Sequence, residues 1–109
     1  MTNQEKRTIC LNWIVTAPVM DLLDGGRKVI MIYPKDGRIW LSTGGNKKIM
    51  CTAAAKVNYL SVDDLADAFS TLLFDRGVNF SSGRDTQGDG WMFIVVETLN
   101  VKTWGGGVT

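Results

Sequence analysis

The sequence predicts an α+β domain in which an antiparallel β-sheet of about five strands carries one long amphipathic helix on one face. Several short apolar runs are separated by tight turns, which favours antiparallel neighbours over parallel ones. One long segment, residues 62–76, has helical periodicity, and a final apolar run, residues 91–99, follows it. A sheet with one covering helix layer accounts for all of these patterns.

The chain begins with a predicted strand and a predicted short helix. Residues 7–16 alternate between apolar and polar side chains, as a half-buried strand does. Residues 18–24 suit a short helix because Pro18 is favourable in the first helical turn and two glycines follow.

A β-hairpin is predicted next, with strands at residues 29–33 and 38–43. Asp-Gly between two apolar runs is a strong hairpin signal. We expect Lys35 and Asp36 to form a type I turn that Gly37 closes with a positive φ angle. A second turn at residues 44–46 then leads to a strand within residues 49–59, although the three alanines there also suit a helix.

The long helix at residues 62–76 has clear start and stop signals. Ser61 can cap its first amides, and Gly77 can supply the left-handed residue that ends it. Residues 81–90 contain three glycines and no aliphatic side chain, so we expect a loop. Residues 91–99 form the last predicted strand.

Both faces of the hairpin strands are expected to be apolar, and this has a consequence for assembly. Alternation divides the side chains into two sets: Val29, Met31, Tyr33, Ile39 and Leu41 on one face, and Ile30, Ile32 and Trp40 on the other. One long helix covers only one face of a sheet. Exposed apolar area on the second face indicates an interface, and a homodimer is expected.

Composition excludes several kinds of catalysis. The 109 residues include no histidine, so a Ser-His-Asp or Cys-His pair and imidazole-containing metal sites cannot form within the chain. Cys10 and Cys51 lack metal-binding spacing, and both are expected in strands as buried residues. We predict no enzyme, no metal and no cofactor. The less favoured alternative is a minimal enzyme that uses Glu97 or Asp89.

Charge is distributed unevenly along the chain. The net charge is only +1, but residues 27–56 contain seven cations and one anion, whereas residues 57–97 contain seven anions and two cations. In an antiparallel meander the turn at residues 44–46 and the start of the first hairpin strand lie at one end of the sheet. This edge is a candidate site for an anion or an acidic partner, formed by Arg27, Lys28, Gly44, Gly45, Asn46, Lys47 and Lys48. Arg84 and Asp85 are secondary contact candidates in the predicted loop.

The sequence does not identify a function, but it favours binding. The leading hypothesis is a small protein that occupies the surface of a macromolecular partner, as an inhibitor or an adaptor does. The alternative is a receptor for a phosphate-bearing molecule, such as a nucleotide, at the basic edge. Nucleic acid is disfavoured because the net charge is only +1 and no aromatic residue is interleaved with the turn at Lys47 and Lys48 to stack on bases.

The chain is expected to form one domain, 1–109, with flexible tails at residues 1–6 and 104–109. A cytoplasmic protein is predicted, because the N-terminus has no apolar signal-peptide core and the two cysteines indicate no disulfide framework. No apolar run approaches the roughly 20 residues that cross a bilayer.

Overall fold

Four helices pack on one side of a five-stranded antiparallel sheet. The computed structural model describes residues 2–24, 29–43, 47–56, 60–86 and 88–96, and the side chains of residues 55 and 56 are not described. The helices are α1 (Asn3–Ile14), α2 (Ala17–Leu23), α3 (Thr52–Lys56) and α4 (Val62–Asp75). The strands are β1 (Val29–Lys35), β2 (Arg38–Ser42), β3 (Lys48–Met50), β4 (Phe80–Arg84) and β5 (Trp91–Val95), in the spatial order β3-β2-β1-β5-β4. The predicted α+β class is confirmed.

The strand predicted at residues 7–16 is wrong, because this segment belongs to helix α1. A capping box starts the helix: the Thr2 hydroxyl accepts a hydrogen bond from the Glu5 amide at 3.1 Å, and the Glu5 carboxylate accepts one from the Thr2 amide. Cys10, Trp13 and Ile14 are buried at helical spacing. Residues 3–6, where we expected a flexible tail, form the first turn.

Helix α2 and the β1–β2 hairpin follow the prediction, but the turn type differs. Lys35 pairs with Arg38, so the turn contains only Asp36 and Gly37. Their φ angles are 54° and 73°. A type I turn has negative φ at both central positions, whereas the type I′ turn observed here needs positive φ at both and matches the twist of the strands.

The segment at residues 49–59 is divided between a strand and a helix. The three-residue strand β3 pairs with β2, and the alanines enter the short helix α3. The loop expected at residues 81–90 is partly wrong, because residues 81–84 belong to edge strand β4, which pairs with β5 from Phe80 to Arg84. The described residues therefore form five strands, but β4 takes the place of the expected N-terminal one.

Helix α4 confirms its predicted cap, stripe and stop. Ser61 and Asp64 form a capping box, and Gly77 has a φ angle of 69°. The buried stripe packs on β1 and β5, and the Phe69 ring meets Phe93 edge-to-face at a centroid distance of 5.1 Å. Helix α1 packs on α4.

None of the helices in the described part of the chain is long and apolar enough to cross a membrane.

Candidate functional site: the outer face of the sheet

The register of the sheet assigns every strand residue to one of two faces. Ile32 pairs with Leu41, and Ile30 pairs with Phe93, so these four side chains lie on the same face, which contacts α4. Tyr33 pairs with Trp40, and Met31 pairs with Met92 on the opposite face. We call this opposite side the outer face; its apolar side chains are Val29, Met31, Tyr33, Trp40, Met50, Met92 and Ile94.

This arrangement corrects the division of side chains that alternation predicted for the hairpin. Ile39 and Leu41 lie with Ile30 and Ile32, and Trp40 lies with Met31. The cause is the two-residue turn. Because Lys35 opposes Arg38, odd positions of β1 face even positions of β2. The expected excess of apolar side chains over two faces is nevertheless present.

No helix in the described part of the chain covers the outer face. The buried core joins side chains from all four helices with Ile30, Ile32, Leu41 and Phe93 of the inner face. The partly buried residues that pack against this core, such as Ile49, Phe80 and Trp91, also belong to the inner face. The seven residues of the outer face are absent from both groups. Val29 is 37% exposed and Ile94 is 41% exposed, whereas the other five are half-buried.

A cleft of about 480 Å³ opens on the outer face beside β1. Met31, Tyr33 and Pro34 of β1 line it together with Ser42 of β2, and the turn between β4 and β5 contributes Asp85, Thr86 and Asp89. The cleft therefore combines apolar side chains of β1 with two carboxylates. Lys35 also reaches it and offsets part of that charge.

The turn between β4 and β5 is held in place by Asp85 and Gly90. The Asp85 amide donates to the Gly90 carbonyl at 3.1 Å, and the Asp85 carboxylate accepts from the Gly88 amide at 2.8 Å. Gly90 is buried, and a Cβ atom there would lie 2.8 Å from the carbonyl oxygen of Ile32 and 2.9 Å from the Tyr33 Cβ. The turn therefore rests directly on β1 at this glycine.

Arg84, a secondary contact candidate, takes part in an intramolecular cluster. Its guanidinium donates to Asp63 at 3.1 Å and lies 4.5 Å from the centroid of the Trp91 ring. Trp91 Nε1 also donates to Asp63, at 2.8 Å. These hydrogen bonds, first from Trp91 and then from Arg84, lower the pKa of the Asp63 carboxyl. The cluster ties the start of α4 to β4 and β5.

Most of the predicted basic edge lies outside the described residues. The undescribed residues of this edge are Arg27, Lys28, Gly44, Gly45 and Asn46. Glu97, the alternative catalytic candidate, also lies outside the described residues. Lys47 and Lys48 are described and exposed, next to Ser42 and Thr43 at the end of β2. A phosphate-bearing ligand at this edge therefore stays a prediction.

Trp40 is closer to the basic edge than its sequence position indicated. Because Ser42 pairs with Lys48, Lys48 lies diagonally across from Trp40 on the outer face. The Lys48 ammonium lies 5.0 Å from the Trp40 ring centroid. The Trp40 indole donates to the Lys35 carbonyl at 3.2 Å. Sequence reasoning missed this contact because it depends on cross-strand register.

Cys10 and Cys51 are buried free thiols, as expected, but neither lies in a strand. Burial, followed by the charge of Cys51, raises the pKa of Cys10 to about 12. Burial also raises the pKa of Cys51, although backbone hydrogen bonds at Ala54 and Ala53 oppose this. A nucleophilic cysteine needs an accessible thiolate, and these environments disfavour one.

We expect Cys10 and Cys51 to resist labelling in the native protein. At neutral pH both thiols are protonated and shielded, so a thiol reagent such as Ellman's reagent should react with them only as fast as the chain unfolds. In denaturant both should react at once. Mass spectrometry identifies which cysteine is labelled. Fast labelling of either cysteine in the native protein would contradict this expectation.

Among the described residues, no group of three or more cysteine, aspartate and glutamate side chains could hold a metal ion. Comparison of the whole chain with protein-family models, with curated proteins and with solved structures found no match in any of the three.

Proposed function

We propose that this chain is a non-enzymatic binding protein that acts by covering a surface of a macromolecular partner, as inhibitors and adaptors do. The observation that carries the proposal is the one-sided packing of the sheet. The buried apolar core lies on the inner face, and seven apolar side chains of the outer face have no helix over them among the described residues.

The composition of the outer face supports a protein partner. Interface cores are enriched in tyrosine, tryptophan and methionine and depleted in lysine and carboxylates. Tyr33, Trp40 and three methionines form the centre of this face, and the charged groups lie at its rim. Aromatic anchors contribute much of the energy in such contacts, and methionine adapts to the shape of a partner.

A non-enzymatic role is supported by the chemistry of the described groups. The chain has no histidine, and the buried thiols are held in the protonated form. The Asp63 carboxylate accepts hydrogen bonds from Arg84 and Trp91. We place the protein in the cytoplasm in this proposal, because reducing compartments preserve free thiols.

Affinity capture with matched variants tests the proposal. Immobilised wild-type chain, Ile94→Glu and Phe74→Glu are exposed to the same lysate. Phe74 is the control because it is a large apolar side chain, 79% exposed, on helix α4 rather than on the outer face. A partner retained by wild type and Phe74→Glu but lost by Ile94→Glu supports the outer face as the contact surface. Equal retention by all three would overturn it.

A further inference from the structure

We infer that the partner of the outer face is a second copy of this chain, bound face to face with the acidic cleft of each copy against Lys48 of the other. The inference rests on the proposed function, since it takes the outer face as the contact surface and names what covers it. The argument starts from the positions of the charged groups around the apolar centre.

Lys48 and the carboxylates of Asp85 and Asp89 lie at the two ends of a diagonal across the outer face, and Lys35 lies beside the carboxylates in the cleft. Lys48 is on β3, one edge strand, level with Ser42 and Met31. The turn with Asp85 and Asp89 lies on the other half of the sheet, between β5 and the opposite edge strand β4. It is also further along the strand direction, since Gly90 of this turn contacts Tyr33.

Opposite charges at opposite corners make the face complementary to itself. A two-fold axis between two facing sheets, perpendicular to this diagonal, exchanges the two corners. It sets the acidic cleft of one copy against Lys48 of the other, twice by symmetry, and stacks the apolar centres. The strands of the two sheets then cross steeply, nearer to the orthogonal class of sheet packing than to the aligned class.

The cleft suits a lysine side chain from the facing copy. Met31, Tyr33 and Pro34 can hold the apolar stem of a lysine, and Asp89 can receive its ammonium group beside Lys35, which lines the same cleft. Lys48 is exposed and already lies against an aromatic ring, so its charge is available at the surface of the face.

Joining the outer faces leaves the helical side of each copy pointing away from the interface.

Charge reversal tests the pairing. We expect wild type to show twice the 12.0 kDa mass of one chain in light scattering or sedimentation at micromolar concentration. Lys48→Glu and Asp89→Lys should each raise the dissociation constant at least about tenfold, because like charges then face each other twice. Mixing the two variants should restore the dimer, since every corner contact in the mixed pair is again attractive. Phe74→Glu is the control and should dimerise as wild type does.

The outcomes separate this inference from the proposed function. A wild-type chain that stays monomeric overturns the second copy as partner, whereas the capture experiment still decides whether the outer face binds another protein. The corner-to-corner pairing is overturned if Ile94→Glu disrupts the dimer but the mixture of Lys48→Glu and Asp89→Lys dimerises no more tightly than either variant alone. Circular dichroism of each variant confirms that it is folded before its mass is interpreted.

Discussion

Replacing Phe93 with alanine should lower the free energy of unfolding by about 3–5 kcal/mol, the usual cost of removing a buried phenylalanine ring. Phe93 is fully buried in the middle of the inner face. Its ring meets Phe69 of α4 edge-to-face and lies 6.1 Å from the Phe80 ring of β4. The substitution therefore removes one ring that joins the helix layer to two strands and leaves a cavity among them.

Urea denaturation of wild type and three variants measures this effect. A loss of about 3–5 kcal/mol is a large part of the roughly 5–15 kcal/mol that stabilises a typical domain. The urea concentration at which half of Phe93→Ala is unfolded should therefore be well below the wild-type value. Phe93→Leu should cost less because it fills more of the volume. Phe74→Ala is the control, since that ring is 79% exposed, and should change stability little. Equal effects at Phe93 and Phe74 would contradict the assigned core.

Helix α4 shows which elements could be predicted from sequence. Its cap, its apolar stripe and its terminal glycine are all local signals that agree with the tertiary contacts the helix makes. The position of the Asp-Gly turn could also be predicted from sequence. Its type could not, because the turn type depends on the twist of the two strands, which a four-residue pattern does not specify.

Helix α1 was mispredicted because two periodicities coexist in one segment. Ile9, Leu11, Trp13 and Val15 alternate as in a strand, whereas the residues that the fold buries are Cys10, Trp13 and Ile14. The deciding signal was Thr2 followed three residues later by Glu5, a capping-box pattern that marks a helix start. That signal lay in the segment interpreted as a tail.

Strand β4 could not be predicted from its own residues. Serine and glycine are not strong strand formers. Strand β4 forms because each of its residues from Phe80 to Arg84 has a backbone partner in β5. The candidate site depends on the same kind of information. The excess apolar surface could be predicted from composition, but the grouping of Trp40 with Met31 and Met92 required the register.

Replacing Gly90 with alanine should destabilise the protein by about 1–3 kcal/mol and deform the cleft on the outer face. The added methyl group would meet the carbonyl oxygen of Ile32 at 2.8 Å and the Tyr33 Cβ at 2.9 Å, and it would also clash with the Asp85 carboxylate. Two of these neighbours are fixed parts of a central strand, so the turn between β4 and β5 must lift away from β1. Gly90→Val should cost more, because its side chain is larger.

Gly83→Ala is the matched control for Gly90→Ala. Gly83 lies in strand β4 near the same turn, and a Cβ atom there would meet nothing within 4 Å. We expect its thermal midpoint to match or exceed the wild-type value, whereas Gly90→Ala should melt roughly 4–8 °C lower for each kcal/mol lost. Amide chemical shifts should change at Asp85 and Gly88 in the Gly90 variant only, because the hydrogen bonds within the turn depend on the contact between Gly90 and β1. Unchanged stability and shifts in Gly90→Ala would show that the turn does not rest on β1, and the cleft would then lose its two carboxylates as a fixed feature.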